Sequence, residues 1–338
     1  MEPTCTFLGK ERLLASRVGI GTWAIGGGWG PQPEEQSRTA LHEALDRGCL
    51  LIDTAPLYGN GRAERLVAQV LKEQRKQGTV CTKVYPLAYQ WAPAPGTPIE
   101  QVFPPEHIIT QAEESLRRLQ VESLDCLLLQ TWCPSWAQEL SWYHTMLWLK
   151  QQGKIRSYGI SVSDHRPDEA NGVIEAGRVG LLEVPYSLLD QRAAEKLFPL
   201  AQRYSVSIIA RSPLASGALA GNWHEGMRFH RQDWRRRVFR GDLLQQTLQR
   251  VEKIKTLAGS AAPLAQFALR FCLSHPAISA VIAGIRDTDQ ARCNLAVLEQ
   301  TALPQDTLDR IARLWDKEFR FNVRTSIGKE GEGERRIA

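Results

Sequence analysis

The chain has 338 residues and a formal net charge of +5, from 42 Lys and Arg against 37 Asp and Glu, with 43% hydrophobic and 23% charged residues. That length buries one large core or two ordinary ones, and the balance is that of an ordinary globular enzyme. The positive excess gathers in arginine patches such as residues 228–240 and the tail, which is weak evidence for an anionic ligand and poor evidence for nucleic acid.

Residues 17–23 read as a short strand entering a glycine-rich loop from Ala24 to Gly30. Gly19, Gly21 and Ala24 match the dinucleotide fingerprint G-x-G-x-x-A, but Gly26-Gly27-Gly28-Trp29-Gly30-Pro31 breaks the chain where the phosphate-binding helix should begin. A doubly wound dinucleotide fold is therefore disfavoured. From Glu34 onward, apolar positions at helical spacing alternate with short, continuously apolar runs. Helices are predicted over 34–47, 62–74, 107–119, 135–152, 168–176, 193–203, 243–258, 263–274, 288–298 and 306–319. Strands are predicted over 50–53, 80–83, 124–129, 155–162, 181–184, 207–210 and 278–283. Residues 86–105 form a Pro-rich insert, and a long loop runs from 211 to about 241.

Short strands without polar alternation suit a parallel sheet covered on both faces. Eight of them separated by helices, at about 40 residues per unit, predict a single (β/α)₈ TIM barrel with long loops at its carboxyl-end face. No linker divides residues 1–324, and the glycine-rich, mixed-charge stretch 325–338 reads as a disordered tail. Seven scattered cysteines form no CxxC pair, which favours a reducing compartment over a disulfide or zinc framework. The N-terminus lacks a basic region followed by an apolar stretch, and no run is long enough to span a membrane. The expectation is a cytoplasmic protein with no metal and no membrane partner.

In a barrel of this kind, functional side chains stand at the carboxyl ends of the strands. There the chain carries Trp23, Asp53, Tyr58, Lys83, Gln130, Ser161, Glu183 and Arg211. A tyrosine works as an acid or base near neutrality only with help, because its ordinary pKa is about 10. A Lys83 ammonium held by Asp53 would favour the phenolate and supply that help. The plainer reading has Asp53 capping the next helix and Tyr58 merely packing.

Taken together, these segments resemble the aldo-keto reductases from about Val18 to Leu298. The resemblance rests on Gly21-Thr22-Trp23, Asp53-Thr54-Ala55 with Tyr58-Gly59-Asn60-Gly61, and Thr82-Lys83. It continues through Gly153-Lys154-Ile155-Arg156, Gly159-Ile160-Ser161, Pro185-Tyr186-Ser187, Ser212-Pro213-Leu214-Ala215-Ser216-Gly217, and Gly284-Ile285-Arg286 with Gln290 and Asn294. It implies NADP(H) bound without a Rossmann unit and a small-molecule substrate bearing a carbonyl or alcohol group. Tyr58 would be the proton donor tuned by Asp53 and Lys83, with Trp23, Tyr58 and Trp132 lining the substrate pocket. Thr22, Trp23, Asp53, Ser161, Glu183 and Arg211 would contact the nicotinamide half of the cofactor. Ser212, Pro213, Leu214, Ser216 and Gly217 would hold the pyrophosphate, and Gly284, Arg286, Gln290 and Asn294 the adenosine end. Arg286 would meet a 2′-phosphate, whose oxygens match a guanidinium fork.

Several positions depart from the family pattern. Gln130 stands where the family has a catalytic histidine; its amide can orient a carbonyl but cannot titrate. Val162 replaces the asparagine that holds the nicotinamide carboxamide, with Ser163 as a candidate substitute. Glu183 replaces a glutamine, and Arg211 replaces the aromatic residue that stacks on the nicotinamide. His165, just past the strand 155–162, is a weak candidate for the missing histidine. Trp29, Trp91, Trp132 and Trp223 are candidates to line an apolar pocket, while Trp142, Trp148, Trp234 and Trp315 read as helix-packing residues. The alternative to a carbonyl reductase is an NADP(H)-binding module with vestigial catalysis that signals to a protein partner.

Overall fold

The computed structural model describes residues 4–75, 78–87, 93–164 and 166–320. His165, Trp91 and the expected tail from Thr325 lie outside the described residues. Eight parallel strands close into a barrel: β3 (Val18–Gly21), β4 (Leu51–Asp53), β5 (Thr79–Val84), β6 (Leu124–Leu129), β7 (Ile155–Ser161), β8 (Leu181–Pro185), β9 (Ser207–Arg211) and β10 (Ile278–Gly284), with β10 pairing back onto β3. The predicted single barrel is therefore the fold.

Helices α1 (Glu34–Asp46), α2 (Arg62–Gln74), α3 (Pro105–Leu119), α4 (Ser141–Gln151), α5 (Asn171–Glu175) and α6 (Leu197–Arg203) cover the strands of the first part of the barrel. A short α7 (Arg235–Val238), α8 (Asp242–Ala258), α9 (Leu264–Ser274), α10 (Thr288–Leu295) and α11 (Gln305–Leu314) complete the wall. One apolar stripe of each long helix packs on the outer face of the sheet, as Ala40, Leu41, Ala44 and Leu45 of α1 and Leu66, Val67 and Val70 of α2 do. The predicted helix over 135–152 is instead a 3-10 turn at Pro134–Ala137 followed by α4, since the chain must turn before Trp142 can enter the core. Similarly, 168–176 and 193–203 each begin with a 3-10 turn, and the loop 211–241 contains the 3-10 stretch Ala215–Ala220 and α7. Of the tryptophans expected to pack on helices, Trp142 and Trp315 are buried and Trp148 is exposed.

A hairpin not expected from the sequence closes the amino-terminal end of the barrel. Its strands, β1 (Cys5–Leu8) and β2 (Leu13–Ser16), pair antiparallel around a turn at Gly9. Leu8, Leu13 and Ala15 pack into the barrel interior against Leu51, Cys81, Cys126, Leu128, Leu181, Ile209, Ala280 and Ile282. Phe7 and Leu14, on the other face, are exposed. The hairpin is tied to the strand starts: Thr79 Oγ1 donates to the Leu14 carbonyl, and the Gly9 N–H to Ser207 Oγ. No helix among the described residues is long and apolar enough to cross a membrane, and the described cysteines are free thiols.

Candidate active site

Strand alternation assembles the site. Side chains two residues apart on a strand face the same side. Leu51, Cys81, Leu128, Leu181 and Ile209 face the barrel interior, so Asp53, Lys83, Gln130, Glu183 and Arg211, each two residues further on, face its carboxyl-end mouth. Five strands thus deliver five polar side chains to one place. Of the sequence-predicted catalytic set, parity places Asp53, Lys83 and Gln130, and Tyr58 comes from a turn.

Lys83 is 1% exposed, with Asp53 at 4% and Glu183 at 2%. Its ammonium donates to Asp53 Oδ1 and, at 3.1 Å, to the Thr54 carbonyl, while Glu183 Oε2 lies 3.4 Å away. The lysine is therefore shared between two carboxylates. Burial and the neighbouring Glu183 carboxylate push Asp53 up, to about 8, against the pull of Lys83. Lys83 is held well above its ordinary value, its burial outweighed by the charges of Asp53 and Glu183. Burial and the like charge of Glu183 thus favour the protonated form of Asp53.

Glu183 reaches further. Ser161 Oγ donates to its Oε1 at 3.4 Å, and Arg211 Nε stands 3.8 Å from the same oxygen. Arg211 also donates to the Val162 carbonyl at 2.9 Å and pairs with Asp164 at 2.6 Å. Acidic and basic groups therefore alternate from Asp53 through Lys83, Glu183 and Arg211 to Asp164. Glu183 had been expected only as a cofactor contact; its link to Lys83 spans strands far apart in sequence, which no local pattern signals.

Tyr58 sits in the turn after β4, with its N–H on the Ala55 carbonyl at 3.0 Å and its carbonyl accepting from Ala63 at 3.1 Å. The turn is pinned by backbone contact with the loop after β3. A Cβ on Gly26 would lie 2.5 Å from the Tyr58 carbonyl carbon, and one on Gly59 would lie 2.3 Å from the Gly26 oxygen. Only glycine permits that approach. Trp23 meets the Tyr58 ring edge to face, with centroids 5.1 Å apart, and Lys83 Nζ lies 5.3 Å from the ring centroid. Burial raises the phenol above its ordinary value; Lys83 pulls it down, as expected, but is outweighed once Asp53 and Glu183 add their charge. Tyr58 therefore holds its proton through the neutral range.

Gln130 follows β6, its N–H bonded to the Val84 carbonyl at 3.0 Å. Its Oε1 is buried without a hydrogen-bond partner, as are Arg211 Nε and Thr54 Oγ1. Buried polar atoms are rarely left unmet, and this cluster at the barrel mouth is what a ligand rich in amide and hydroxyl groups would satisfy.

Beyond β9, Ser212, Ala215, Ser216 and Gly217 all have positive φ, at 55°, 46°, 58° and 94°. Three of these are not glycine, and such strain concentrates at functional sites. A nest of this kind presents backbone N–H groups to an anion; here those of Ala215 and Gly217 already donate within the turns, to the Ser212 and Leu214 carbonyls at 2.9 Å. The nest is backed by a clasp that sequence reasoning missed. Trp29 bridges Asp233, Arg235 lies 4.0 Å over the Trp29 ring, pairs with Asp233 at 2.7 Å, and donates to the Ser216 carbonyl at 3.0 Å. The only sequence signals were a tryptophan among glycines and the arginine-rich run 228–240.

At the β10 end, the Arg286 guanidinium donates to Gln32 Oε1 at 2.8 Å and to the Pro31 carbonyl at 3.0 Å. Burial and the nearby Arg235 charge lower its pKa, as expected of two cations sharing one region. Gln290 accepts from the Arg286 N–H at 3.0 Å.

Other expected contacts are committed elsewhere. The buried Thr22 hydroxyl donates to the Asp53 carbonyl at 3.0 Å, so it braces that residue. Asn294, 2% exposed, donates to the Gly284 carbonyl at 3.3 Å and holds the strand end. The Ser163 hydroxyl donates to the Trp132 carbonyl at 3.3 Å, so it does not stand in for the asparagine replaced by Val162. Trp132, expected on the pocket wall, is 1% exposed; it packs against Trp136 and Trp142, and its indole N–H donates to the Glu169 carbonyl at 3.1 Å. Trp223 is likewise buried against Phe229 and Phe239.

The family model for the aldo/keto reductase family matches residues 17–316. The chain belongs to the aldo/keto reductase family. It is thus a nicotinamide-dependent oxidoreductase. It is 28% identical to the aldo-keto reductase YhdN of Bacillus subtilis over 90% of this chain and 91% of that protein. It is 29% identical to a probable voltage-gated potassium channel subunit beta of Oryza sativa, over 90% of this chain and 94% of that protein. Among solved structures it is similar to an aldo/keto reductase of Klebsiella pneumoniae in complex with NADP and acetate. There the TM-score is 0.66 and the identity 25%, covering 92% of this chain and 95% of that one.

Proposed function

We propose that this aldo/keto reductase uses NADP(H) to interconvert an aldehyde, ketone or sugar carbonyl with its alcohol, with Tyr58 as proton donor and Gln130 as the carbonyl-orienting group. The observation that carries the reading is the Tyr58 phenol, kept protonated by burial beside a lysine clamped between two acids. When bound, the cofactor supplies the hydride. All else falls to the chain's own side chains. A carbonyl that gains hydride becomes an alkoxide, and the Tyr58 Oη proton neutralises it. As the phenolate forms, Lys83 stabilises the new charge, and Asp53 keeps the ammonium in place. The Gln130 amide can donate a hydrogen bond to the same oxygen; it offers no second titrating group.

Ser161, Glu183 and Arg211 would face the nicotinamide end, the nest Ser212–Gly217 the pyrophosphate, and Arg286 with Gln290 the adenosine end. The unmet atoms of Gln130 and Arg211 fit a ligand carrying both donors and acceptors. Two nearby arginines, Arg286 and Arg235, favour the additional phosphate of NADP(H) over NAD(H). Replacing Tyr58 with Phe is expected to abolish turnover while NADPH affinity stays within about threefold, since only one hydroxyl is removed. Retained turnover would sink the assignment.

A second reading is a nicotinamide-binding module whose redox state signals to a protein partner. The likeness to the rice potassium channel subunit favours it, together with Gln130 and Val162 in place of the family's usual residues. It predicts NADPH binding by fluorescence titration with no oxidation across a broad panel of aldehydes, ketones and sugars. Turnover of any of these at ordinary enzymatic rates decides against it.

A further inference from the structure

Glu183 and Arg211 depart from the family pattern in opposite senses, one from a neutral amide to an anion and the other from a neutral ring to a cation. They lie on the adjacent strands β8 and β9, with Arg211 Nε 3.8 Å from Glu183 Oε1. Each change introduces a charge into a buried site, where an opposite charge on the neighbouring strand helps to offset it. Together they compensate. Arg211 Nε is buried without a hydrogen-bond partner, so the pair keeps polar valence for something else at the barrel mouth. Asp164 holds the far side of Arg211, and Lys83 the far side of Glu183.

We propose that Glu183 and Arg211 act as one unit, a compensated ion pair that sets the relative affinity of the site for the oxidised and reduced cofactor. The proposal rests on the nicotinamide reading above. Oxidised nicotinamide carries a positive ring charge and the reduced form does not. A buried carboxylate near the ring favours the oxidised form, and a buried guanidinium opposes it. With both present, the site is balanced.

The test is a four-corner cycle of wild type, Glu183→Gln, Arg211→Tyr and the double variant, which restores the uncharged family pattern. Dissociation constants for NADP⁺ and NADPH are measured separately by quenching of tryptophan fluorescence, with no substrate present. Glu183→Gln is expected to raise the ratio Kd(NADP⁺)/Kd(NADPH) about tenfold, as loss of one nearby charge should. Arg211→Tyr is expected to lower it by a similar factor, and the double variant to return to within about threefold of wild type. A merely structural role would weaken both cofactors equally and leave the ratio unmoved. An unchanged ratio in both single variants, or a double variant whose ratio stays well outside threefold of wild type, would overturn the proposal. Should a single variant not fold, thermal melting of the double decides: recovery toward wild type supports the coupled pair, and a double no better than the worse single overturns it. Wild type binding neither cofactor would instead overturn the nicotinamide reading itself.

Discussion

Two layers of the barrel interior, one strand alternation apart, are built from opposite materials. The lower layer is Leu51, Cys81, Leu128, Leu181 and Ile209, sealed beneath by Leu8, Leu13 and Ala15 of the hairpin. The upper layer is Asp53, Lys83, Gln130, Glu183 and Arg211, with three of its charged side chains almost wholly buried. About 7 Å separates consecutive same-face positions on a strand. The apolar floor keeps water from entering below, so the charges above can be satisfied only by one another or by a ligand. That is why Lys83 has two acids and Arg211 two more contacts, and why Gln130 and Arg211 each keep an unmet polar atom. The lower layer sets the dielectric in which the upper one works.

The largest blow to the upper layer is removal of its shared cation. Replacing Lys83 with Met leaves Asp53 and Glu183 facing each other with no counter-ion between them. The expected loss of stability is about 3–5 kcal/mol, because a buried charge partner is removed. The expected loss of kcat is about 10²–10⁴-fold, the range of a general acid deprived of its support. Urea unfolding and steady-state rates, taken below the melting temperature, measure both. Near-normal turnover in a folded Lys83→Met protein would mean that the upper layer is not where the chemistry is done.

The matching cut in the lower layer is Leu13→Ala. Leu13 is 1% exposed and plugs the barrel from the hairpin. The cavity should cost about 2–5 kcal/mol of stability. Cofactor affinity and kcat, measured well below the lowered melting temperature, should stay close to wild type. A large drop in kcat with stability intact would show that the two layers are not separable in this way.

The same contrast explains what could be read in advance. Parallel strands buried on both faces are continuous apolar runs, so Leu124–Leu129 and Ile278–Gly284 stand out, and a polar residue ending such a run marks the barrel mouth. Asp53, Lys83 and Gln130 were legible on that ground. The hairpin was not: Phe7 and Leu14 face outward and are apolar, so its strands lack the polar–apolar alternation that announces a one-sided sheet. Nor was the contact of Lys83 with Glu183, made across the barrel between β5 and β8, because closure brings together residues whose sequence neighbourhoods carry no trace of each other. Trp132 misled for a related reason. It follows a strand end, where pocket residues gather, yet Trp136 and Trp142 fold over it.

The subtlest difference between the layers is a proton. Asp53 is raised from 3.8 to about 8 by burial and by Glu183. A group whose folded pKa lies above its unfolded value binds its proton more tightly in the folded state. Its contribution to stability is therefore complete below about pH 4 and is lost as pH rises toward 8. Lys83, also raised, contributes stability that persists below its unfolded value and so is constant through this window. Surface acids lowered by their partners, such as Glu113 beside Lys154, work in the opposite direction, but below the ordinary carboxylate value and so outside this window. Comparison with Asp53→Asn removes them, since both proteins share them. The stability of wild type relative to Asp53→Asn should fall steadily between pH 5 and 8. Parallel unfolding curves across that range would mean that Asp53 is ionised throughout, a plain counter-ion of Lys83.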